Sequence, residues 1–259
     1  MATVTGDAKT AYEAFAPVYD IFTAHYDDEL WIGELVSALE RNGLSGDRLL
    51  DVACGTGRSF LPMLKRGWNV TACDISPAML ERARAKVGEA VQLSVADMRD
   101  FPEIGKFDLV WALDDSINYL LSEEELLEAL TGMKANLAPG GLLLFDVNTL
   151  VAYRSFFAET VVVERDGRRF VWRGQAARDA EPGSICEAIL EEDGGPTTTH
   201  QHRQRHFARA EIGSAVERAG LSLVDTYGLY TDGTLRQPLD ENAHTKAVYI
   251  ADAEGGEHR

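Results

Sequence analysis

The run Leu49-Leu50-Asp51-Val52-Ala53-Cys54-Gly55-Thr56-Gly57 constrains this chain more than any other stretch. A short apolar strand is delivered into a Gly-x-Gly turn and then a helix. Glycine permits positive φ there and lets a ligand lie close to the backbone. In open α/β sheets such a turn sits at the carboxyl end of a strand, where these folds bind ligands. Asp74 ends the next strand, 19 residues beyond Gly55, where an acid accepts the hydroxyls of a ribose. A lone Gly-x-Gly is often only a tight turn. The strand before it and the acid after it make a nucleoside pocket the better reading.

What is missing narrows the nucleoside. A dinucleotide fingerprint needs a third glycine at position 60 for close helix–strand packing, and that residue is Phe60. No Gly-Lys-Ser/Thr phosphate loop is present. The net charge of −17, from 42 acidic and 25 basic residues, repels polyphosphate and argues against a nucleic-acid partner. A cationic nucleoside without phosphate suits both loop and charge better than NAD or FAD.

Around the loop the chain alternates strand and helix. Aromatics at Tyr12, Phe15, Tyr19, Phe22 and Tyr26 recur at helical steps, and a second helix follows from Asp27, with Leu30, Trp31, Leu35, Val36 and Leu39 on one face and Gly43 as its stop. Strands are expected over 49–53, 69–74, 91–97, 107–113 and 142–147. Ser76-Pro77 opens a helix to Val87, and Ser122 with Glu125 forms a capping box for a helix through Leu137. Near-continuous apolar strands alternating with helices argue a parallel sheet covered on both faces. After about Thr149 the rhythm breaks. Residues 159–207, divided at Asp166-Gly167, Pro182-Gly183 and Gly194-Gly195-Pro196, read as an antiparallel meander. A helix over 210–219 and strands over 221–229 and 246–251 close the chain, and the tail 254–259 is expected to be disordered.

Taken together, Asp51-x-x-x-Gly55-x-Gly57, Asp74, Ala96-Asp97-Met98 and Leu137-x-Pro139-Gly140-Gly141 resemble the ordered motifs of class I S-adenosylmethionine (SAM) methyltransferases. A narrower likeness, carried by Tyr12 to Asp20, Trp31, the run Leu113 to Tyr119, Asp146-Val147-Asn148 and His202 to Arg205, is to a bacterial small-molecule subgroup that includes sugar N,N-dimethyltransferases. The resemblance implies an α/β, doubly wound, Rossmann-like sheet of seven strands in the order 3-2-1-4-5-7-6, strand seven antiparallel, with an inserted antiparallel β meander over the active site. It implies SAM as cofactor and a small-molecule methyl acceptor, methylated on oxygen or nitrogen.

Carried over by position, the resemblance lays the methionine part of SAM against Ala53, Gly55, Thr56 and Gly57. It gives Asp74 the ribose hydroxyls and Ile75 and Met79 the adenine. Asp97 would take the adenine amino group and Met98 the ring edge. Leu113 would offer a carbonyl to the cofactor ammonium, while Arg58, Tyr12, Tyr19 and Trp31 would grip its carboxylate and close the lid. Aromatics at helical spacing are as often core packing as a lid. On a strand, His200, His202, Gln204 and His206 share one face, with Arg203 and Arg205 on the other. His202 is the candidate base, Asp115 a holder of an amine or alcohol, and Asn118, Tyr119 and Arg205 further substrate contacts. A solvated strand is the plain alternative. With no carboxylate nearby in sequence, three histidines make a poor metal site, and none is expected. Arg165, Arg168, Arg169 and Arg173 read more readily as partners of acids than as an anion site. Asp/Asn-Pro-Pro-Tyr, usual after the fourth strand of amino-methylating nucleic-acid enzymes, is absent.

The expected organisation is one domain, with a helical lid over 1–43, a cofactor core over 44–150, the insert over 151–208 and a closing helix and strands over 209–252. Three cysteines without CxxC spacing argue against a disulfide framework or zinc. Apolar runs such as Leu142 to Phe145 fall far short of the ~20 residues of a membrane span, and Met1 to Thr10 shows no leader pattern. A reduced, cytoplasmic protein is expected, monomeric or homodimeric. The rival readings are a nicotinamide-dependent oxidoreductase and a SAM-binding protein without activity.

Overall fold

A computed structural model of the chain describes residues 8–175, 177–193, 199–230 and 232–253. The expected turn at Gly194-Gly195-Pro196 and the tail 254–259 lie outside these residues. In chain order the elements are α1 (Ala8–Phe15), α2 (Tyr19–Thr23), α3 (Asp28–Arg41), β1 (Arg48–Val52), α4 (Leu61–Lys65), β2 (Asn69–Asp74), α5 (Pro77–Val87), β3 (Gln92–Val95), β4 (Phe107–Ala112), α6 (Glu123–Ala135), β5 (Leu137–Asn148) and α7 (Leu150–Ser155). Then follow β6 (Thr160–Arg165), β7 (Arg168–Gln175), β8 (Ile185–Asp193), β9 (Thr199–Arg205), α8 (Arg209–Arg218), β10 (Leu221–Leu229), β11 (Leu235–Arg236) and β12 (Lys246–Ala253). Among the described residues no helix is long and apolar enough to cross a membrane.

The main sheet runs β11-β10-β12-β5-β4-β1-β2-β3. It has eight strands rather than seven, because the two-residue β11 pairs with the free edge of β10. β1 is parallel to both β2 and β4, and β12 lies antiparallel between β5 and β10. β1 alternates Leu50 and Val52 onto one face and Leu49 onto the other, so both faces must be covered. Leu126, Leu130 and Met133 of α6 and Ile212 and Val216 of α8 cover the first. Ile32, Leu35 and Leu39 of α3 and Leu80 and Ala83 of α5 cover the second. Each fully buried Leu or Ile here contributes about 1.5–3 kcal/mol of transfer free energy. The buried face of α3 is rotated from the expected one: Leu30 stays exposed at 42%, and Ile32 and Ala38 go inward.

The helix starts follow their caps. Asp27 accepts from Leu30 N at 3.0 Å, Ser76 from Met79 N at 3.2 Å, and Ser122 from Glu125 N at 3.1 Å. The Glu125 carboxylate reaches back to Leu121 N at 2.5 Å, one residue earlier than in a standard capping box. β5 begins at Leu137, and Pro139-Gly140-Gly141 bulges out of it where the register jumps between Phe107 and Leu109.

The meander forms a second sheet, β6-β7-β8-β9, antiparallel throughout. Asp166 and Gly167 turn β6 into β7 at φ 49° and 72°, the left-handed pair that a two-residue hairpin requires. Phe170, Trp172 and Leu190 of this sheet pack with Phe15, Phe22, Tyr153 and Phe157 from α1, α2 and the segment after β5. This third core places the small sheet and the first two helices over the carboxyl ends of β1, β4 and β5.

Candidate active site

The glycine loop leaves β1 through three residues of positive φ: Ala53 at 61°, Gly55 at 54° and Gly57 at 89°. Alanine is unusual there, and such strain concentrates at functional turns. Gly57 has a packing reason as well. A Cβ on it would lie 2.5 Å from the ring of Phe60, which fills the space beneath the loop where a dinucleotide fold keeps its third glycine. The Asp74 carboxylate accepts from Gly55 N and Ser76 N, each at 2.8 Å, and so ties the loop to the end of β2. Burial pushes Asp74 up to about 6 against the pull of those N–H groups. Below the loop, Asp51 accepts from Ser59 Oγ at 2.5 Å and burial raises it to about 7.

Two adjoining clefts of about 640 and 950 Å³ open over this loop. Tyr12, Tyr19, Gly55, Arg58, Asp74 and Leu113 line the first, and Asp97, Arg99, Leu120 and Leu121 the second, with Ala53, Ile75, Met98 and Tyr119 among those common to both. Most of the expected cofactor residues therefore converge, but four do not. Met79 is fully buried in the α5 core face, and Gly57 packs on Phe60. Thr56 is turned away, donating to Asp20 at 2.5 Å. Trp31 packs against the α3 core and faces a different cleft, beside Tyr26 and Leu229. Asp97 lies in place but is already paired with Arg99, Nη2 to Oδ2 at 2.6 Å.

A third cleft of about 1310 Å³ joins the first through Tyr12, Tyr19, Arg58, Asp114 and Tyr119. Its walls are aromatic, with Phe15, Phe22, Tyr26, Phe156, Trp172 and Tyr230, and its floor carries Asp115, Gln204 and Lys246. The one-face reading of β9 holds, but the face is buried: His200, His202, Gln204 and His206 are each at most 3% exposed. The solvated-strand alternative is thereby overturned. Tyr12 donates to Tyr119 at 3.1 Å, and Tyr119 meets His202 Nδ1 at 2.7 Å. The Tyr119 proton then points to Nδ1, which leaves the imidazole proton on Nε2, without a partner among the described residues. Burial, helped by His200, lowers His202 to about 3. It is a neutral hydrogen-bonding group rather than the near-neutral base expected, since a pKa that low makes a poor proton acceptor.

Two expected substrate contacts turn out to serve the frame. Asn118 is fully buried, donating to Arg205 O at 2.9 Å and accepting from Asn148 N at 2.8 Å. The Arg205 side chain points to the opposite face of β9 and pairs with Glu211 at 2.6 Å. Of the basic run in the insert, Arg168 pairs with Glu192, Arg169 with Glu164 and Arg173 with Glu191, which favours the reading as partners of acids.

Sequence reasoning missed Lys246, Asp146 and the part played by Asp114. Lys246 Nζ donates to Asp115 Oδ1 and Asp146 Oδ2, both at 2.7 Å, and Asp115 also accepts from Gln204 Nε2 at 2.5 Å. Burial alone would lower the Lys246 pKa, but Asp115, Asp146 and Asp114 together raise it well above its usual value. Asp114 and Asp115 both have positive φ, 57° and 55°, a strained pair that sends successive carboxylates into the cleft. A lysine at the head of an otherwise apolar strand was the available signal for Lys246; nothing local pairs it with residues 131 and 100 positions away.

The N-terminal helices are tied over the loop. Asp20 accepts from Thr56 Oγ1 and from Lys86, and Asp28 pairs with Arg58, whose guanidinium also lies 5.4 Å from the Tyr26 ring centroid.

The chain is similar in sequence and in fold to known methyltransferases. Residues 49–141 match the family described as a methyltransferase domain. The chain is 28% identical to a putative methyltransferase of Bacillus subtilis, YqeM, over 85% of this chain and 90% of that protein. It is 28% identical to the dTDP-3-amino-3,4,6-trideoxy-alpha-D-glucopyranose N,N-dimethyltransferase of Streptomyces venezuelae, over 80% of this chain and 89% of that one. In fold it is similar to a S-adenosylmethionine-dependent methyltransferase from Clostridium acetobutylicum, with a TM-score of 0.76 at 22% identity, covering 94% of this chain and 99% of that one.

Proposed function

This chain belongs to the class I SAM-dependent methyltransferases of the small-molecule type, and from that premise we propose that it methylates a nitrogen of an amine-bearing metabolite. The observation that carries the choice of nitrogen is the third cleft. It opens from the cofactor cleft and combines aromatic walls with two successive carboxylates, Asp114 and Asp115, of which Asp115 is held by Lys246. Carboxylates attract an ammonium, and ring faces favour a methylated cation. The amino-sugar N,N-dimethyltransferase relative acts on a substrate of this kind. A nicotinamide oxidoreductase gains no support, with Phe60 filling the place of the third glycine.

The described residues suit SAM. In this reading the buried Asp74 accepts from the ribose, its oxygens already aimed by Gly55 N and Ser76 N. Ile75, Met98 and Leu120 flank the adenine, while Gly55, Leu113 and Arg58 surround the methionine part. SAM supplies an electrophilic methyl carried on a sulfonium. The protein's work is then largely to hold the acceptor in line and keep water out, and orientation of that kind lowers such barriers by about 7–11 kcal/mol. Tyr12, Tyr19 and Tyr119 form the wall between the clefts. His202 positions Tyr119, and Asp115 with Lys246 shapes the floor.

We read the chain as one domain: a lid within 1–43, a core over 44–150, an insert over 151–208 and closing elements over 209–252. It acts in the cytoplasm as a monomer or homodimer, without a nucleic-acid partner. Calorimetric titration with SAM, run beside Asp74→Ala, tests the cofactor site. S-adenosylhomocysteine (SAH) release is then measured with amines and alcohols paired on the same carbon skeletons. Turnover of amines alone is expected. Turnover of alcohols alone would overturn the choice of nitrogen, and SAM binding without turnover of any metabolite would favour a non-catalytic binding protein.

A further inference from the structure

Asp114 is the one carboxylate among the described residues that lines both the cofactor cleft and the acceptor cleft. Asp74 borders only the first, and Asp115 only the second. The neighbouring charges are already matched. Lys246 holds Asp115 and Asp146, and Arg58 holds Asp28. Two cations thus stand against the four carboxylates Asp28, Asp115, Asp146 and Asp114, and Asp114 alone of these makes no hydrogen bond or ion pair with a described residue. A half-buried carboxylate left unmatched where two clefts meet is a ready partner for a cation.

We propose that Asp114 receives the ammonium of the methyl acceptor at the junction of the two clefts and takes its proton before transfer. The proposal rests on the reading of the chain as an amine methyltransferase. A protonated amine, R–NH3+, gives one proton to the Asp114 carboxylate and becomes R–NH2 beside a neutral carboxylic acid. The freed nitrogen lone pair forms the new bond to the methyl carbon. The carbon–sulfur bond breaks, its electron pair stays on sulfur, and the products are R–NH2+–CH3 and SAH. Asp114 afterwards releases its proton to solvent.

The environment of Asp114 suits both duties. Facing it are Lys246 from β12, Asp146 from β5, Asp51 from β1, Arg58 from the glycine loop, Asp115 beside it, and Tyr19 and Tyr26 from the N-terminal segment. Burial outweighs the two cations and lifts Asp114 to about 6. It is therefore ionised at neutral pH, yet a better proton acceptor than an ordinary aspartate.

Sinefungin offers a probe that needs no knowledge of the acceptor. This SAM analogue carries an amine-bearing carbon in place of the methyl-sulfonium, so its extra ammonium occupies the region of the transferred methyl. SAH lacks that group, and both share the cofactor's own α-ammonium. Calorimetric dissociation constants of both ligands are compared for the wild type and Asp114→Asn. Asparagine tolerates the left-handed backbone at this position, so the turn is kept. We expect the substitution to weaken sinefungin by roughly tenfold or more, the size of a lost charge-assisted hydrogen bond, and SAH by less than about twofold. In the wild type, the preference for sinefungin over SAH should fall as pH drops through about 6, a readout that requires no variant. Equal weakening of both ligands would assign Asp114 to the cofactor's α-ammonium and overturn the proposal while leaving the cofactor reading intact. An unchanged ratio would also overturn it. A wild type that binds neither ligand would overturn the cofactor reading itself.

Discussion

Replacing Lys246 by methionine removes the cation from a nearly enclosed group while preserving most of its volume. The lysine side chain is 18% exposed, Asp115 is 24% and Asp146 is 0% exposed, with both Nζ–carboxylate distances at 2.7 Å. After the substitution Asp146 keeps only the Asp115 N–H at 3.0 Å, and its other oxygen already has no partner among the described residues. Breaking a buried pair by deleting one partner costs about 3–5 kcal/mol. The partial exposure of Lys246 and Asp115 argues for the lower end, about 3 kcal/mol. For a domain of this size each kcal/mol shifts Tm by about 2–4 °C, so a fall of roughly 6–12 °C is expected. Circular dichroism melts and urea titrations of the ligand-free protein measure it. The folded-state pKa of Lys246 is raised above its ordinary value, so its stabilisation is fully present below the unfolded pKa and is lost only as pH rises through the folded one. The deficit of Lys246→Met should accordingly be the same at pH 7 and pH 9. Adding Asp146→Asn should return part of the loss, because the amide oxygen still accepts from Asp115 N and the fully buried charge is gone, leaving only the partly exposed Asp115 without its cation. A single variant within about 1 kcal/mol of wild type, or a double variant whose losses simply add, would refute the reasoning.

Three further outcomes follow from the same geometry. Asp74→Ala should weaken SAM by about 1.5–3 kcal/mol, the range for hydrogen bonds to a charged group, and wild-type SAM affinity should fall below the Asp74 pKa of about 6 as the buried carboxyl protonates; calorimetry across pH 5 to 8 checks both, and Asp74→Asn should flatten the profile. Gly57→Ala should cost about 2–4 kcal/mol, combining positive φ with overpacking against Phe60 at 2.5 Å, whereas Gly55→Ala, at φ 54° but with nothing within 4 Å of the added Cβ, should lose only the backbone term of about 1–2 kcal/mol and bind SAM poorly. Because His202 lies near 3, the pH–rate profile of His202→Gln should keep the shape of the wild-type profile above pH 5, even if its amplitude drops; loss of a limb near 6.5 on substitution would restore His202 as the base.

Local spacing carried most of the scaffold and half of the site. β1, the glycine turn and Asp74 were legible because each depends on neighbours within a few residues: an apolar strand, a turn that needs positive φ, and an acid at the next strand's end. The caps at Ser76 and Ser122 were legible for the same reason, since a cap bonds an N–H three residues away. The common face of His200, His202, Gln204 and His206 follows from the two-residue period of β9, although the period alone does not say whether that face meets water or core. Burial of that face was decided by α1, α2 and the segment after β5, folded back from distant parts of the chain.

The remaining site residues were assigned by tertiary structure. Met79 and Trp31 could pack inward or line a cleft with the same helical phase; Met79 is fully buried on α5, and the sheet's second core claimed Trp31. Asp114 and Asp115 look interchangeable in sequence. They separate because Lys246, 131 residues beyond Asp115, arrives on the one strand that runs antiparallel between β5 and β10. An ion pair forms where two side chains meet in space, and no one-dimensional spacing encodes that meeting. The sequence by itself determined a nucleoside-binding α/β chain; the packing of its last strand decided which carboxylate was left without a cation.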